Sequence, residues 1–175
     1  MSELDAEWAR IISEAESRAR TAGRSDVSDY LSLRAANDQA RALGIKWLIE
    51  TFIALAGHAN RAGAGISFEQ TDAHRFSVHR STMVGTRLTL RVGLRALIVE
   101  AGWPRLPADG IVRGGGLAGA RVSHFGDSTA SDELLLVRKT NGGAPQWVVL
   151  ETTGTRTEFL EGRGQSHVKK LLGNS

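Results

Sequence analysis

The chain has no cysteine. That absence excludes disulfides, thiol nucleophiles and cysteine-ligated zinc, and it fits a reducing compartment. Lysine is scarce too: only four of the 22 basic residues are lysine, the rest arginine. No apolar run reaches the roughly 18 residues that a bilayer demands. The longest candidate, residues 45–59, is interrupted by Lys46, Glu50 and His58. The opening MSELDAEWAR is acidic and lacks the apolar centre of a secretory leader. These absences predict a cytoplasmic protein with no membrane partner.

Acids are missing from one region in particular. Residues 75–121 hold eight arginines against only Glu100 and Asp109, a net charge of +6 in a chain whose total is +3. A GC-rich codon bias accounts for arginine in place of lysine, but not for the missing carboxylates. A local basic zone of this kind attracts anionic partners.

What is present is ordinary globular material. The 175 residues are 41% hydrophobic and 23% charged, enough for one domain with its own core. Residues 1–63 read as helical. Trp8, Ile11, Ile12, Ala15 and Ala19 recur at helical spacing behind a Ser2 cap. Gly23 punctuates, and Ser25 or Asp26 caps a second helix. Gly44 marks either a break or a tolerated interior glycine. Ile45, Leu48, Ile49, Phe52, Leu55, Ala56 and Ala59 form an apolar stripe.

From residue 64 the period becomes two. Residues 66–71 and 76–78 alternate as two strands joined by a turn at Asp72-Ala73. Gly93-Leu94 fits a two-residue type II′ turn, which sets a register of Arg91 with Ala96, Thr89 with Ile98, Arg87 with Glu100, Leu90 with Leu97 and Leu88 with Val99. Ala118, Ala120, Val122 and His124 share one strand face. Residues 133–139 and 146–152 flank the hairpin signal Asn141-Gly142-Gly143. A turn at Thr153-Gly154 leads into residues 156–161, pairing Val148 with Phe159 and Glu151 with Arg156. Residues 163–172 form a last helix with Val168, Leu171 and Leu172 on one side. The expected fold is α+β: N-terminal helices packed on a curved antiparallel meander of about seven strands (residues 64–162), then a C-terminal helix (residues 163–175).

The sharpest local feature is GWPRLPADGIVRGGG, residues 102–116. Gly114, Gly116 and Gly119 satisfy G-x-G-x-x-G, but hairpins follow where a dinucleotide fold needs a helix and a parallel strand, and Asp132 and Glu133 come too early to hold a ribose. The backbone N–H groups of Gly114, Gly115 and Gly116 are still able to form an anion nest beside Arg113 and Arg121. The bland alternative is a flexible connection or a bulge. Trp103, extended by the following proline, offers a stacking surface beside Arg105 or else plugs the end of the sheet. Arg87 and Arg91, with His79 as a further candidate, form a polar strip on the sheet face, facing either a phosphate backbone or plain water. Arg87 has a local partner in Glu100, and Arg156 has one in Glu151.

No three histidines or carboxylates converge in sequence, so no metal site and no cofactor are expected. Ser123, His124 and Asp127 are too close in sequence for triad geometry. Glu100, Asp109 and His124 flank the 102–116 loop and would supply acid–base chemistry if they met in a pocket beneath it. Three functional readings follow. The first is a non-catalytic module for nucleic acid or a phosphorylated small molecule, using Arg87, Arg91, Trp103, Arg105, Arg113, Gly114, Gly115, Gly116 and Arg121. The second is a small-molecule enzyme using Glu100, Asp109 or His124. The third is an assembly subunit that docks on another protein or on a second copy of itself.

Overall fold

The helical spacing before residue 62 and the period of two after residue 65 divide the chain as expected. The computed structural model describes residues 3–21 and 25–174; the Ser2 cap and the Gly23 break lie outside them. Helices α1 (Glu3–Thr21) and α2 (Ser25–Arg61) come first. Seven strands follow: β1 (Ser67–Val78), β2 (Ser81–Val92), β3 (Arg95–Trp103), β4 (Ala118–His124), β5 (Asp127–Val137), β6 (Gln146–Leu150) and β7 (Arg156–Glu158). Helix α3 (Glu161–Leu171) closes the chain. The sheet is an open antiparallel meander in sequence order, β1 to β7.

Two compact units emerge, Met1–Ala40 and Arg41–Ser175, and the divide falls inside α2 rather than at its end. In the first unit, the Ser32 hydroxyl donates to Glu16 at 2.6 Å and the Arg34 guanidinium sits 5.3 Å over the Trp8 ring. Arg10 pairs with Glu7 and Glu14 at helical spacing on α1.

In the second unit, the apolar stripe of α2 is the floor of the core. Leu48, Phe52 and Ala56 are fully buried among Leu88, Leu90, Leu97, Val99, Val122, Leu134 and Leu136 from one face of the sheet. By length and composition alone, Asp26–Arg61 could also cross a bilayer, with mean hydropathy 1.2 over its most apolar window. Gly44 does not break the helix. A Cβ there would lie 2.6 Å from a Leu136 methyl, so the glycine lets α2 approach β5 closely, and its carbonyl accepts the buried Trp147 indole N–H at 2.8 Å.

The Gly93-Leu94 turn forms with Gly93 at φ 58°, and all five expected β2–β3 pairs are present. Two other expectations fail. Asp72-Ala73 is no hairpin turn but a bulge within one twelve-residue strand, with Ala73 at φ 52° and the register shifting between Thr71 and His74. The turn instead falls at His79-Arg80, where His79 takes φ 54° without the glycine or asparagine that would announce it. At the other edge, β7 pairs one residue away from the expected register: Val148 faces Glu158 and Leu150 faces Arg156. A one-residue slip exchanges faces. It turns Phe159 into the core, where its N–H donates to the Trp147 carbonyl and its ring lies 6.1 Å from Phe52.

The bulge and a glycine together bend the first hairpin. His74 pairs with Gly85, directly opposite the bulge, and Gly85 in turn pairs with Gly102 and Gly102 with Gly119. A Cβ on Gly85 would overlap the Ala101 carbonyl. The bent end of the hairpin crosses the second face of the sheet. There Phe76, Val78 and Met83 pack on Leu135, Val148 and Val112 in a second small core.

Candidate functional site

The bent hairpin places residues 75–84 against the loop of residues 104–116. The loop is tied down at several points. Ser81 Oγ donates to the Ile111 carbonyl at 2.6 Å, Arg105 Nη2 donates to the Val84 carbonyl at 3.2 Å, and Arg75 lies 3.8 Å from Asp109. Val112 is buried in the second core, so the loop is a docked flap rather than a free connection. Asp109 serves this loop: its Oδ2 accepts the Leu106 N–H at 3.2 Å around a short 3₁₀ turn, as aspartate commonly does.

Each expected ligand residue now has a place. Arg105 and Arg113 are exposed on this lobe. Trp103 is not in the loop but ends β3, partly buried, with the Arg105 guanidinium 3.6 Å over its ring and Arg41 at 5.8 Å. That arrangement favours the packing reading, since Arg105 covers a face that a base would need. Gly114 and Gly115 take φ 82° and 76°. The Gly115 N–H is already bonded to the Val112 carbonyl, and the Gly114 carbonyl accepts from Arg156. β4 begins two residues after Gly116, which removes the helix that a nucleotide fingerprint requires.

Arg121 belongs to the framework. It sits opposite Glu100 and donates to it at 2.7 Å, while reaching the Ser77 carbonyl of the bent hairpin at 3.3 Å. Glu100 is buried and also bonds His74 Nε2 at 2.9 Å. Burial pushes its carboxyl up, but the hydrogen bonds from His74 and Arg121 outweigh this and hold it below the ordinary value. Arg87 faces Glu100 in the register, as expected, yet the carboxylate's ion pairs go to Arg121 and His74. Arg156 likewise turns to Gly114, and Glu151 is taken by Arg163 at 3.2 Å. Arg87 and Arg91 lie on the same face of β2, on the other side of the Gly85 bend, with Arg91 exposed and Arg87 half-buried.

The acid–base trio does not converge. His124 pairs with Leu97, a core-face residue, whereas Glu100 lies three positions further on β3 and so on the opposite face. The second apolar core lies beneath the loop. A groove of about 550 Å³ lies elsewhere, between α2 and the β6–β7 edge, lined by Leu43, Trp47, Pro145, Trp147, Phe159 and Leu160.

Two clusters escaped the sequence reading. On the lobe, His79 Nε2 lies 2.9 Å from Arg113 Nη1 and 3.1 Å from Glu133. That nitrogen serves one partner at a time, accepting from the arginine or donating to the carboxylate. At the other end of the sheet, His124 Nε2 lies 3.0 Å from His167 Nδ1, and His167 Nε2 lies 2.7 Å from Asp132. Arg163 holds Asp132 through two hydrogen bonds of 2.8 Å. Burial raises the Asp132 carboxyl, but Arg163 and His167 outweigh it and leave it well below the usual carboxylate range. The i, i+4 spacing of Arg163 and His167 on α3 was the available signal. Among the described residues, no group of three or more histidines and carboxylates is placed to hold a metal ion.

Compared with known proteins, the chain matches no family model, no curated protein and no solved structure.

Proposed function

We propose that this protein is a non-catalytic binding module for nucleic acid, engaged through the sugar–phosphate backbone by the lobe of residues 75–84 and 104–113. The observation that carries the reading is the charge of that lobe. Its two segments are tied together and bear Arg75, Arg80, Arg105 and Arg113 against one carboxylate, Asp109, a net +3. All four arginines are exposed.

The form of the lobe favours a long anion over a small one. A nucleotide is normally enclosed by a pocket, and here the loop rests on Val112 with apolar side chains beneath it. Exposed arginines on one lobe suit successive phosphates, which position a protein without reading sequence. Trp103, already stacked under Arg105, contributes packing rather than base recognition. Arg121 stiffens the hairpin from below. The ligand set therefore contracts from the nine residues read in sequence to Arg105 and Arg113, and it gains Arg75 and Arg80.

The test is a filter-binding titration with random-sequence duplex and single-stranded DNA. The reading expects micromolar-range or weaker binding, little sequence preference and a steep loss of affinity with salt. Absence of binding at low salt overturns it.

A further inference from the structure

Helix α3 is fastened to the sheet by a row of titratable groups that plays no part in the basic lobe. Val168 and Leu171 are buried on the core, and the His167 ring lies 6.5 Å from Phe52. Around them, His167 meets Asp132 and His124, Arg163 meets Asp132 and Glu151, and Lys170 meets Asp127 at 2.9 Å. The imidazoles of His124 and His167 meet edge to edge, with 23° between their planes and 5.3 Å between centroids.

Proton bookkeeping in this row is restrictive. Asp132 is ionised and takes the His167 Nε2–H, so a neutral His167 presents Nδ1 as an acceptor. His124 then donates its Nε2–H, and its Nδ1 carries a lone pair with no hydrogen-bond partner among the described residues. A first added proton goes to that nitrogen and leaves a single N–H between the rings, so every bond survives. A second proton puts two N–H groups head to head across 3.0 Å. The bond becomes a repulsion between two imidazoliums, with the Lys170 ammonium also nearby.

We infer that the His124–His167 pair is an acid-sensitive latch: double protonation releases α3 from the sheet and uncovers the apolar surface of Val168, Leu171 and Phe52. The groups facing the pair are Asp127 and Asp132 on β5 and Arg163 and Lys170 on α3, with Glu151 behind Arg163; on β3, Leu97 lies opposite His124 and the Arg95 guanidinium lies against Gly173, just past α3. Burial, His167 and Lys170 all lower the His124 pKa, against a smaller pull from Asp127 and Asp132. A depressed histidine binds its proton more readily when released, so even the first proton, which spares the hydrogen bonds, disfavours docking: docking is complete above about pH 6.5 and weakens below it, and the second proton then breaks the ring–ring bond. Asp127 and Asp132 are both held below the ordinary aspartate value, so neither titrates in that window.

Amide hydrogen exchange on the intact chain at pH 7.5 and pH 5.0, corrected for intrinsic rates, tests this. Protection of Glu161–Leu171 should fall at least tenfold more than protection of β2, β3 and β4. His124→Gln, whose amide can donate to His167 but cannot take a proton, should keep α3 protected at both pH values. Equal protection of α3 at both pH values in the wild type, or the same fall in His124→Gln, overturns the latch. Imidazole NMR of the wild type gives an independent reading should the variant fail to fold. Two coupled protonation steps, one ring taking its proton only after the other, support the latch, and two independent single-site titrations overturn it.

Discussion

Arg121 on β4 donates to Glu100 on β3 at 2.7 Å and, with its other terminal nitrogen, to the Ser77 carbonyl on β1. One guanidinium thus joins the middle of the sheet to the bent end of the first hairpin. Removing the partner of a buried carboxylate costs about 3–5 kcal/mol when both groups are buried. Arg121 is 39% exposed, so Arg121→Ala should cost less, about 1–3 kcal/mol. Urea denaturation at pH 7 measures it.

The same carboxylate gives a pH dependence. Glu100 has a lowered pKa in the fold, so its contribution is fully present above about pH 4.5 and is lost as pH falls through the folded value. Wild-type stability should therefore decline below pH 4.5 more steeply than that of Glu100→Gln. Paired denaturation curves at pH 7, 4.5 and 3.5 check this; parallel declines would show that Glu100 does not titrate as argued.

Two glycines should resist replacement for different reasons. Gly85→Ala drives a methyl into the Ala101 backbone and should cost about 1–3 kcal/mol while disordering the hairpin end. Gly44→Ala gains about 1 kcal/mol of helix propensity, but the methyl meets Leu136 and moves the carbonyl that holds Trp147. Net destabilisation with a shifted tryptophan emission is expected.

Phe159→Ala should cost about 3–5 kcal/mol, as for other buried aromatics. Under the register read from sequence, Phe159 would sit beside Val148, away from the main core. Thermal unfolding of this variant therefore also checks the strand assignment.

The turns explain what the sequence does and does not disclose. Gly93 takes a positive φ that glycine favours, so the β2–β3 register follows from the turn alone. His79 and Ala73 also take positive φ, which alanine does not signal and histidine signals only weakly, so local pattern alone exchanges the bulge and the first hairpin. The error has a functional consequence. With the turn misplaced, nothing in the sequence brings Arg75 and Arg80 to Arg105 and Arg113, because that meeting depends on the bend at Gly85. The seven-strand order and the α3 face were legible because local alternation and helical spacing set them. The partners of Glu100 were not, since His74 and Arg121 reach it from strands far apart in sequence.

The most direct measurement of the central claim is the salt dependence of DNA affinity for the wild type and for Arg80→Glu/Arg113→Glu. Four phosphate contacts predict a slope of log affinity against log salt near −3.6, from roughly −0.9 per contact. The double variant should bind at least tenfold more weakly at low salt and lose at least half of that slope, with an unchanged melting temperature. Equal affinity and equal slope in the two proteins would contradict the assignment of the basic lobe as the binding surface.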